Sequence, residues 1–235
     1  MHDLLFARVY PQSIADSASR SAPATRARPR ATVDHSESSV LEVRVRADDW
    51  FDMVVIGSGP AGEKAAAQAA YFGKRVAVVE RSPAPGGAAV SNASIPSKTL
   101  RETAMYITGF RRRDVYGLRL ALDPEATLAQ LRTRTAHVIE TMTDAVRVNL
   151  ERHAIEFVRG RARLESDRSV HVAGEASQER VLHGEVVLIA TGSRPFRPPD
   201  IPFDGRDVHD STTVLGIDRP FGSIVVVGGG AVACE

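Results

Sequence analysis

The chain has 235 residues, and 30 Lys and Arg side chains against 29 Asp and Glu give it a formal net charge of +1. This length accommodates one or two ordinary domains, and the balanced charge argues against a protein that binds nucleic acid over its whole surface. No apolar run approaches the roughly 18 residues that a membrane-spanning helix needs, and the single cysteine, Cys234, excludes an internal disulfide framework. We therefore expect a globular cytoplasmic protein with no nucleic-acid or membrane partner.

Residues 1–48 differ in composition from the rest of the chain. The stretch 13–39 is rich in Ser, Ala, Arg and Pro and shows no helix or strand period. Such a segment buries too little apolar surface to offset the entropy of ordering, so we predict a disordered N-terminal extension over residues 1–48. Five arginines and one acid, Asp16, lie between Leu4 and Val33. This bias is found in organellar transit peptides as well as in nonspecific extensions.

The first ordered elements form a strand–helix–strand unit. An apolar strand is predicted over residues 51–56, followed by a Gly-rich turn over 57–62, an Ala-rich helix over 63–72 and a second strand over 75–80. Gly73 is typical of a residue that ends a helix. Short connections of this kind place the two strands parallel to one another, with the helix packed against the sheet.

The remaining chain combines one long helix with short strands. Apolar residues recur at helical spacing over the region 128–150, at Leu128, Leu131, Val138, Met142, Val146 and Leu150. Strands are predicted over the runs 154–158, 161–164, 169–172, 185–190 and 223–227. Between the last two strands, residues 195–202 form a Pro-rich connector.

Three glycines between the first strand and the first helix match the dinucleotide-binding pattern G-x-G-x-x-G. Gly57 allows the tight turn, Gly59 lets the backbone approach a pyrophosphate, and Gly62 permits close packing of helix on strand. Glu80 ends the next strand, where an acid accepts a hydrogen bond from a ribose 2′-hydroxyl. Because an acid repels the 2′-phosphate of NADP, the pattern predicts a site for FAD or NAD without choosing between them.

The segment 86–98, GGAAVSNASIPSK, resembles the active-site stretch of the flavoprotein disulfide reductases, the class I pyridine nucleotide-disulfide oxidoreductases. That stretch has a Gly-Gly pair, two redox cysteines separated by four residues, and then an apolar residue and Pro-Ser-Lys. Here Ala89 and Ser94 occupy the two cysteine positions. Neither residue forms a thiolate or a disulfide, so the dithiol relay of most family members is absent.

Two further segments extend the resemblance from residue 52 to residue 235. ATGSRP at 190–195 is similar to the family's second FAD-contacting turn, and VVVGGGAVACE at 225–235 is similar to the start of its NAD(P)-binding domain. The resemblance implies an α/β fold. An FAD-binding Rossmann-like parallel sheet with a small β insertion would form an incomplete domain over 49–202. Residues 203–235 would form a connector, the first strand and the helix start of a second, truncated Rossmann-like domain.

The resemblance also implies the residues of the site. The expected FAD contacts are Gly57, Ser58, Gly59, Pro60, Ala61, Gly62, Glu80, Arg81, Gly87, Ala88, Ser94, Lys98, Ala162, Ala190, Thr191 and Gly192. The expected NAD(P) contacts are Gly228, Gly230 and Ala233. In the family a lysine of the active-site segment pairs with a glutamate of the second glycine motif and lies near flavin N5. Lys98 and Glu235 are therefore the expected flavin-tuning pair, although an exposed lysine at a helix start is an alternative for Lys98. The seven histidines form no metal-ligand spacing with Cys234, so no metal is expected.

The resemblance is strongest to the soluble pyridine nucleotide transhydrogenases of the family, which pass hydride through FAD without a complete cysteine pair. It implies an FAD-dependent oxidoreductase that moves hydride between NADPH and NAD. Two alternatives stay open: a dihydrolipoamide-dehydrogenase-like flavoprotein with diaphorase activity only, and an inactive nucleotide-binding fragment. Full-length family members form homodimers through a C-terminal domain that this sequence does not contain.

Overall fold

A computed structural model of the chain describes residues 49–111, 123–174 and 179–235, and the predicted extension over residues 1–48 lies outside them. The elements follow in chain order as β1 Trp50–Ile56, α1 Pro60–Tyr71, β2 Val76–Glu80, α2 Gly87–Ser91, α3 Ser94–Arg111, α4 Pro124–Arg152, β3 Glu156–Arg159, β4 Arg161–Leu164, β5 Ser169–Ala173, β6 Glu179–Ile189 and α5 Ala231–Cys234. The predicted strand–helix–strand start, the long helix and the strands up to β6 are thereby confirmed, with ends shifted by a few residues.

The six strands form one sheet in the order β3-β2-β1-β6-β5-β4. The first four strands are parallel, whereas β5 and β4 continue the sheet as an antiparallel meander. The long strand β6 belongs to both parts, because its first residues pair with β5 and the residues from His183 onward pair with β1. This arrangement is the predicted parallel sheet with a small β insertion.

Alternating side chains of the central strands build a separate core on each face of the sheet. On one face Val55 packs with Ala66 of α1 and Leu150 of α4, so the helices cover this side. On the other face Val54 packs with Leu182 and with the remaining apolar side chains of the meander. Because both faces are covered, β1 and β2 contain almost only apolar residues, as buried parallel strands do.

The α4 helix begins and ends with identifiable caps. Asp123 Oδ1 accepts hydrogen bonds from the N–H groups of Glu125 and Ala126, which satisfies two donors of the first turn. After the helix, Ala154 adopts a left-handed φ of 52°, and the N–H of Ile155 donates to the Leu150 carbonyl at 3.0 Å. This turn carries the chain out of the helix, so β3 starts at Glu156 rather than at the predicted residue 154.

Helices α2 and α3 were not predicted by the sequence analysis. Gly86, with a left-handed φ of 109°, precedes α2, and small residues follow it without an apolar stripe. Threonine has a low helix propensity, so α3 was not expected from its sequence. In the structure the hydroxyl groups of Thr99 and Thr103 donate to carbonyl groups one turn earlier in the helix. A salt bridge of 3.6 Å between Glu102 and Arg134 joins α3 to α4.

The predicted strand over residues 223–227 is wrong for the structure as described. These five residues have no regular secondary structure, and the side chains of Val225 and Val227 are 86% and 90% exposed. The physical reason is that a strand needs a partner for its N–H and C=O groups. No strand among residues 49–111, 123–174 and 179–235 pairs with this segment.

The connector that precedes this segment is held by carboxylates. Asp210 accepts hydrogen bonds from the N–H groups of Thr212 and Thr213 and from Arg197 Nε at 2.7 Å. Burial opposes ionisation of Asp210, but these hydrogen bonds and the arginine charge outweigh it and lower the pKa of Asp210 to about 2. The connector therefore keeps its turn without packing into either core.

None of the helices in the described part of the chain has both the length and the apolar character that a membrane crossing requires.

A partly buried ion cluster joins the starting ends of three strands. Asp49, which is only 2% exposed, accepts hydrogen bonds from Arg180 Nη2 at 2.6 Å and Nε at 3.1 Å. Arg180 Nη1 also donates to Glu156 Oε1 at 2.9 Å. Burial lowers the pKa of Arg180, but the two carboxylates outweigh it, so that pKa is raised. The cluster thereby ties β6 to the residue before β1 and to β3.

We expect Arg180→Met to lower the free energy of unfolding by about 2 kcal/mol in urea denaturation. Breaking a fully buried pair costs roughly 3–5 kcal/mol, and the partial exposure of Arg180 reduces this. The matched control is Arg163→Met, whose pair with Glu165 lies at the surface and whose loss should stay within about 0.5 kcal/mol. Equal losses in the two variants would contradict a special contribution from Asp49.

Candidate nucleotide-binding site

The predicted cofactor residues lie where parallel strands end at one edge of the sheet. The N–H of Gly57, just after β1, donates to the Val79 carbonyl of β2 at 2.8 Å. The N–H of Ala190, just after β6, donates to the Ile56 carbonyl at 2.8 Å. The turns that follow β1 and β6 are therefore held side by side, at the edge where ligands of open α/β sheets bind.

Close backbone contacts explain the first and third glycines of the pattern. Gly57 has a φ of 105°, and a Cβ atom there would lie 2.4 Å from the carbonyl oxygen of Ala190. A Cβ atom at Gly62 would lie 1.9 Å from the carbonyl oxygen of Gly57. Both positions exclude any side chain, because these distances are far below van der Waals contact. The predicted roles in turn formation and in helix packing fit this geometry.

Gly59 differs from the other two glycines because its free side faces open space. A Cβ atom at Gly59 would meet no atom within 4 Å, and its φ of −65° is accessible to any residue. Gly59 precedes α1, and no side chain caps the N–H groups at the start of this helix. An uncapped helix N-terminus beside a position that is open on the protein side fits an approaching pyrophosphate.

A second glycine turn packs directly on the first. A Cβ atom at Gly87 would lie 2.8 Å from the Cα of Gly59, and Gly87 has a left-handed φ of 57°. The N–H of Gly86 donates to the Ser58 carbonyl at 3.1 Å and lies 3.3 Å from Ser58 Oγ. The turn at residues 57–62 and the turn at Gly86 and Gly87 thus form one continuous surface of backbone groups.

Glu80 occupies the end of β2 and is bound to the first glycine turn. Its Oε2 accepts hydrogen bonds from the N–H of Ser58 at 2.9 Å and from the Ser58 hydroxyl at 2.7 Å, and its Oε1 accepts one from the N–H of Ser82 at 2.9 Å. Glu80 is 6% exposed. Burial opposes ionisation, but the hydrogen bonds from Ser58 and Ser82 outweigh it, so the pKa of Glu80 is lowered. The ribose contact of Glu80 stays a prediction, and its contact with Ser58 is a feature that the sequence analysis missed.

Ala89 and Ser94, at the two cysteine positions, line a cleft of about 460 Å³. The cleft runs between α1, α2 and the start of α3 on one side and α4 on the other, with Met142, Val146 and Val148 among its apolar walls. Neither position carries a thiol. The cleft therefore offers no group for disulfide exchange at these two positions.

Lys98 and Glu235 meet although they are far apart in the chain. Lys98 lies in α3, and its Nζ is 3.2 Å from Glu235 Oε1 and 3.5 Å from Oε2. The Lys98 side chain is 63% exposed and that of Glu235 is 28% exposed, so solvent weakens the attraction between the charges. The structure brings this predicted pair together, and its action on a flavin stays a prediction.

The other predicted FAD contacts divide by location. Pro60 and Ala61 start α1 and are exposed, Thr191 and Gly192 are exposed after β6, and Arg81 and Ala88 are exposed beside the glycine turns. Ala162 lies elsewhere, in β4, where it pairs with Val172 and packs against the meander side of the core. Its methyl group is committed to packing, so only its backbone is available to a ligand.

The second glycine motif repeats the local backbone geometry of the first. Gly228 has a φ of 122°, close to the 105° of Gly57. Gly230 precedes α5 with φ −79° and ψ 177°, as Gly59 precedes α1 with φ −65° and ψ 176°. Ala233 stands three residues after Gly230, as Gly62 does after Gly59, and its Cβ would be 3.9 Å from a Cβ built on Gly228. No strand in the described part of the chain pairs with the residues that precede this turn.

Within the part of the chain that the structure describes, no group of three or more His, Cys, Asp or Glu side chains is arranged to hold a metal ion.

Comparison with known proteins places these features among flavoproteins. A family model described as pyridine nucleotide-disulphide oxidoreductase matches residues 51–235. A soluble pyridine nucleotide transhydrogenase of Mycobacterium bovis (strain BCG / Pasteur 1173P2) is 41% identical over 186 residues, which are 79% of this chain and 40% of that protein. A dihydrolipoyl dehydrogenase of Bacillus subtilis (strain 168) is 32% identical over 184 residues, or 78% of this chain and 40% of that protein.

A solved structure shares the fold. The Cu(II) complex of the HOCl-induced flavoprotein disulfide reductase RclA from Escherichia coli matches with a TM-score of 0.59 and 26% sequence identity. The match covers 72% of this chain and 34% of that chain. The present chain thus spans 40% of the length of the curated relatives that it matches.

Single Gly→Ala substitutions in the turn between β1 and α1 should distinguish a position closed by packing from a position that is open. We expect Gly57→Ala to lower the free energy of unfolding by about 3 kcal/mol, because a left-handed φ and a backbone clash combine there. Gly59→Ala should stay within about 1 kcal/mol of the original protein, since its Cβ meets nothing and only the cap preference changes. Urea denaturation measures both values, and a large loss for Gly59→Ala would contradict the open geometry.

Proposed function

Because the chain belongs to the pyridine nucleotide-disulphide oxidoreductase family, we propose that it forms the FAD-binding part of an oxidoreductase that moves hydride between NADPH and NAD. The family membership, shown by the match over residues 51–235, confirms the resemblance found in the sequence. The observation that carries the proposal is the combination of a dinucleotide-binding strand edge with an active-site segment that lacks both thiols. This chain spans 40% of the length of the transhydrogenase that it matches, so both FAD binding and hydride transfer between the nucleotides are proposals.

The first glycine turn supports the choice of a dinucleotide ligand. Gly59 is open on its ligand side, and the start of α1 presents N–H groups that no side chain caps. These groups would hold the pyrophosphate of FAD, and Glu80 would accept a hydrogen bond from its adenosine ribose. When bound, FAD supplies two-electron chemistry that amino-acid side chains lack.

The residues at positions 89 and 94 determine which electron acceptors fit. Disulfide reduction by this family proceeds through a pair of cysteines, and Ala89 and Ser94 supply none. The acceptor must then exchange hydride with the flavin directly, as a nicotinamide does. The 41% identity to a soluble pyridine nucleotide transhydrogenase supports the same choice.

The second glycine motif, at residues 228–233, supports a nicotinamide nucleotide as the substrate. Gly228, Gly230 and Ala233 repeat the backbone geometry of the first turn, so residues 203–235 would begin an NAD(P)-binding domain.

Lys98 would act on the flavin through its charge. We place its ammonium near the flavin ring, where a cation favours the reduced, anionic form, with Glu235 holding the Lys98 side chain in position.

A second candidate function is a dihydrolipoamide-dehydrogenase-like flavoprotein with diaphorase activity alone, which the 32% identity to a dihydrolipoyl dehydrogenase favours. A third is nucleotide binding without turnover. In each case we propose a cytoplasmic protein and, for a full-length relative, a homodimer.

The cofactor assignment is tested by adding FAD to the purified chain, removing the excess and recording the visible spectrum. We expect bound-flavin bands for the original protein and affinity weakened about 10-fold to 100-fold in Gly59→Ala, because the new methyl group occupies the open side. Gly109→Ala, whose Cβ also meets nothing but lies on α3, should bind FAD normally. A colourless protein would overturn the assignment.

The reaction is tested on the same flavin-loaded protein under anaerobic conditions. Bleaching by NADPH and recovery on addition of NAD would support hydride transfer between the two nucleotides. Recovery only with an artificial acceptor would favour the diaphorase, and no bleaching would favour binding alone.

Lys98→Met should shift the reduction potential of the bound flavin by roughly 20–40 mV to more negative values. Removing a cation destabilises the reduced anion, and the exposure of Lys98 keeps the effect modest. The matched control is Lys74→Met, because Lys74 pairs with Asp52 near the starting ends of β1 and β2. An unchanged potential in Lys98→Met would identify Lys98 as a solvated surface lysine.

A further inference from the structure

Ser58 is a buried hydroxyl in a turn where the neighbouring residues have no polar side chain. It follows Gly57, precedes Gly59 and is completely inaccessible to solvent. The hydroxyl donates a hydrogen bond to Glu80 Oε2 at 2.7 Å and accepts one from the N–H of Gly86 at 3.3 Å. One side chain therefore connects the end of β2, the first glycine turn and the second glycine turn.

These contacts limit what the Glu80 carboxylate can still do. Its Oε2 already accepts two hydrogen bonds from Ser58, one from the backbone N–H and one from the hydroxyl. Its Oε1 accepts a hydrogen bond from the N–H of Ser82, and the Ser82 side chain is a further hydrogen-bond partner of the carboxylate. Since a carboxylate oxygen offers about two acceptor sites, Ser58 occupies both sites of Oε2, and a ligand would have to bind Oε1 beside Ser82. The Ser58 hydroxyl thus fixes which oxygen of Glu80 faces a partner.

We propose that Ser58 is a positioning residue of the dinucleotide site. It acts through Glu80 by holding the carboxylate in a single orientation, and through Gly86 by keeping the two glycine turns together. This inference rests on the proposed binding of FAD at these turns. It assigns to Ser58 a role in affinity and in recognition of the ribose, rather than direct contact with the ligand alone.

The effect of the hydroxyl on binding follows from what its removal would leave. Without it, Glu80 Oε2 keeps only the Ser58 N–H as donor, and the N–H of Gly86 keeps only the Ser58 carbonyl as acceptor. A buried carboxylate with fewer donors samples other orientations, because the charge then seeks other partners. A ligand must restore the bound orientation, so it binds less tightly.

A double-mutant cycle on FAD affinity tests the proposal. Dissociation constants are measured by titrating FAD into the full chain freed of flavin and following flavin fluorescence. We expect Ser58→Ala to weaken binding about 10-fold. In a Glu80→Ala background the same change should weaken binding less than about twofold, because only the contact with Gly86 is then lost and the Gly86 N–H keeps the Ser58 carbonyl as acceptor. Ser166→Ala is the matched control, since the Ser166 hydroxyl bonds to Ser169 Oγ in the turn between β4 and β5, away from the glycine turns.

A second measurement reports on the ribose directly and does not need the Glu80 variant to fold. ADP and 2′-deoxy-ADP compete with FAD for the original protein and for Ser58→Ala. We expect the preference for ADP to shrink in Ser58→Ala and to be unchanged in Ser166→Ala. A merely structural role for Ser58 would lower the melting temperature and leave this preference intact.

The outcomes separate the two proposals. Failure of the original protein to bind FAD or ADP would overturn the proposed function and this inference with it. Normal binding by the original protein, with additive effects in the cycle or an unchanged ribose preference in Ser58→Ala, would overturn only the role of Ser58. Non-additive effects together with a reduced ribose preference support it.

Discussion

The close approach of the β1–α1 turn to the end of β6 is the constraint on which the rest of the site depends. At Gly57 the backbone passes so near the Ala190 carbonyl that no side chain fits, and Gly62 meets Gly57 in the same way. These contacts join the helix, the central strand and the neighbouring strand into one rigid corner. The second glycine turn then packs on this corner at Gly59. At Gly59 a side chain would meet no other atom, so a ligand pyrophosphate can approach the turn there.

Charge reinforces this geometry at both edges of the sheet. At the starting ends of the strands, Arg180 pairs with both Asp49 and Glu156, Arg75 adds a second cation 3.9 Å from Glu156, and these pairs join elements that are distant in sequence. At the opposite edge, Glu80 is buried without a cation as hydrogen-bond partner in the contacts described above, and it is held ionised by Ser58 and Ser82. The first edge is thus compensated by opposite charge, whereas the second keeps its negative charge through hydrogen bonds alone. A carboxylate stabilised in this way retains its acceptor character toward a neutral hydroxyl.

Local sequence patterns predicted the elements whose neighbours are close in the chain. The apolar runs of β1 and β2 were sufficient because both faces of these strands are covered, and the helical period of α4 was sufficient because one face of this helix packs against the sheet. Residues 223–227 have the same apolar character as β1, yet they form no strand, because a strand is defined by partners and not by its own residues. Lys98 and Glu235 were joined only through family resemblance. The contact between Ser58 and Glu80 was missed, since a serine in a glycine turn gives no sign of which carboxylate it will meet.

The pairing of β6 with both β1 and β5 determines the order in which the sheet can form during synthesis. Strand β1 receives β2 almost immediately, but its other edge is completed only by β6, and Trp50 pairs with His183. During synthesis β1 would therefore keep one open edge until β6, which begins at Glu179, has emerged. Pairings of such long sequence separation are slow and leave apolar edges accessible in the meantime. The sheet is thus completed only when β6 pairs with β1, and the turns that follow β1 and β6 come together only at that stage.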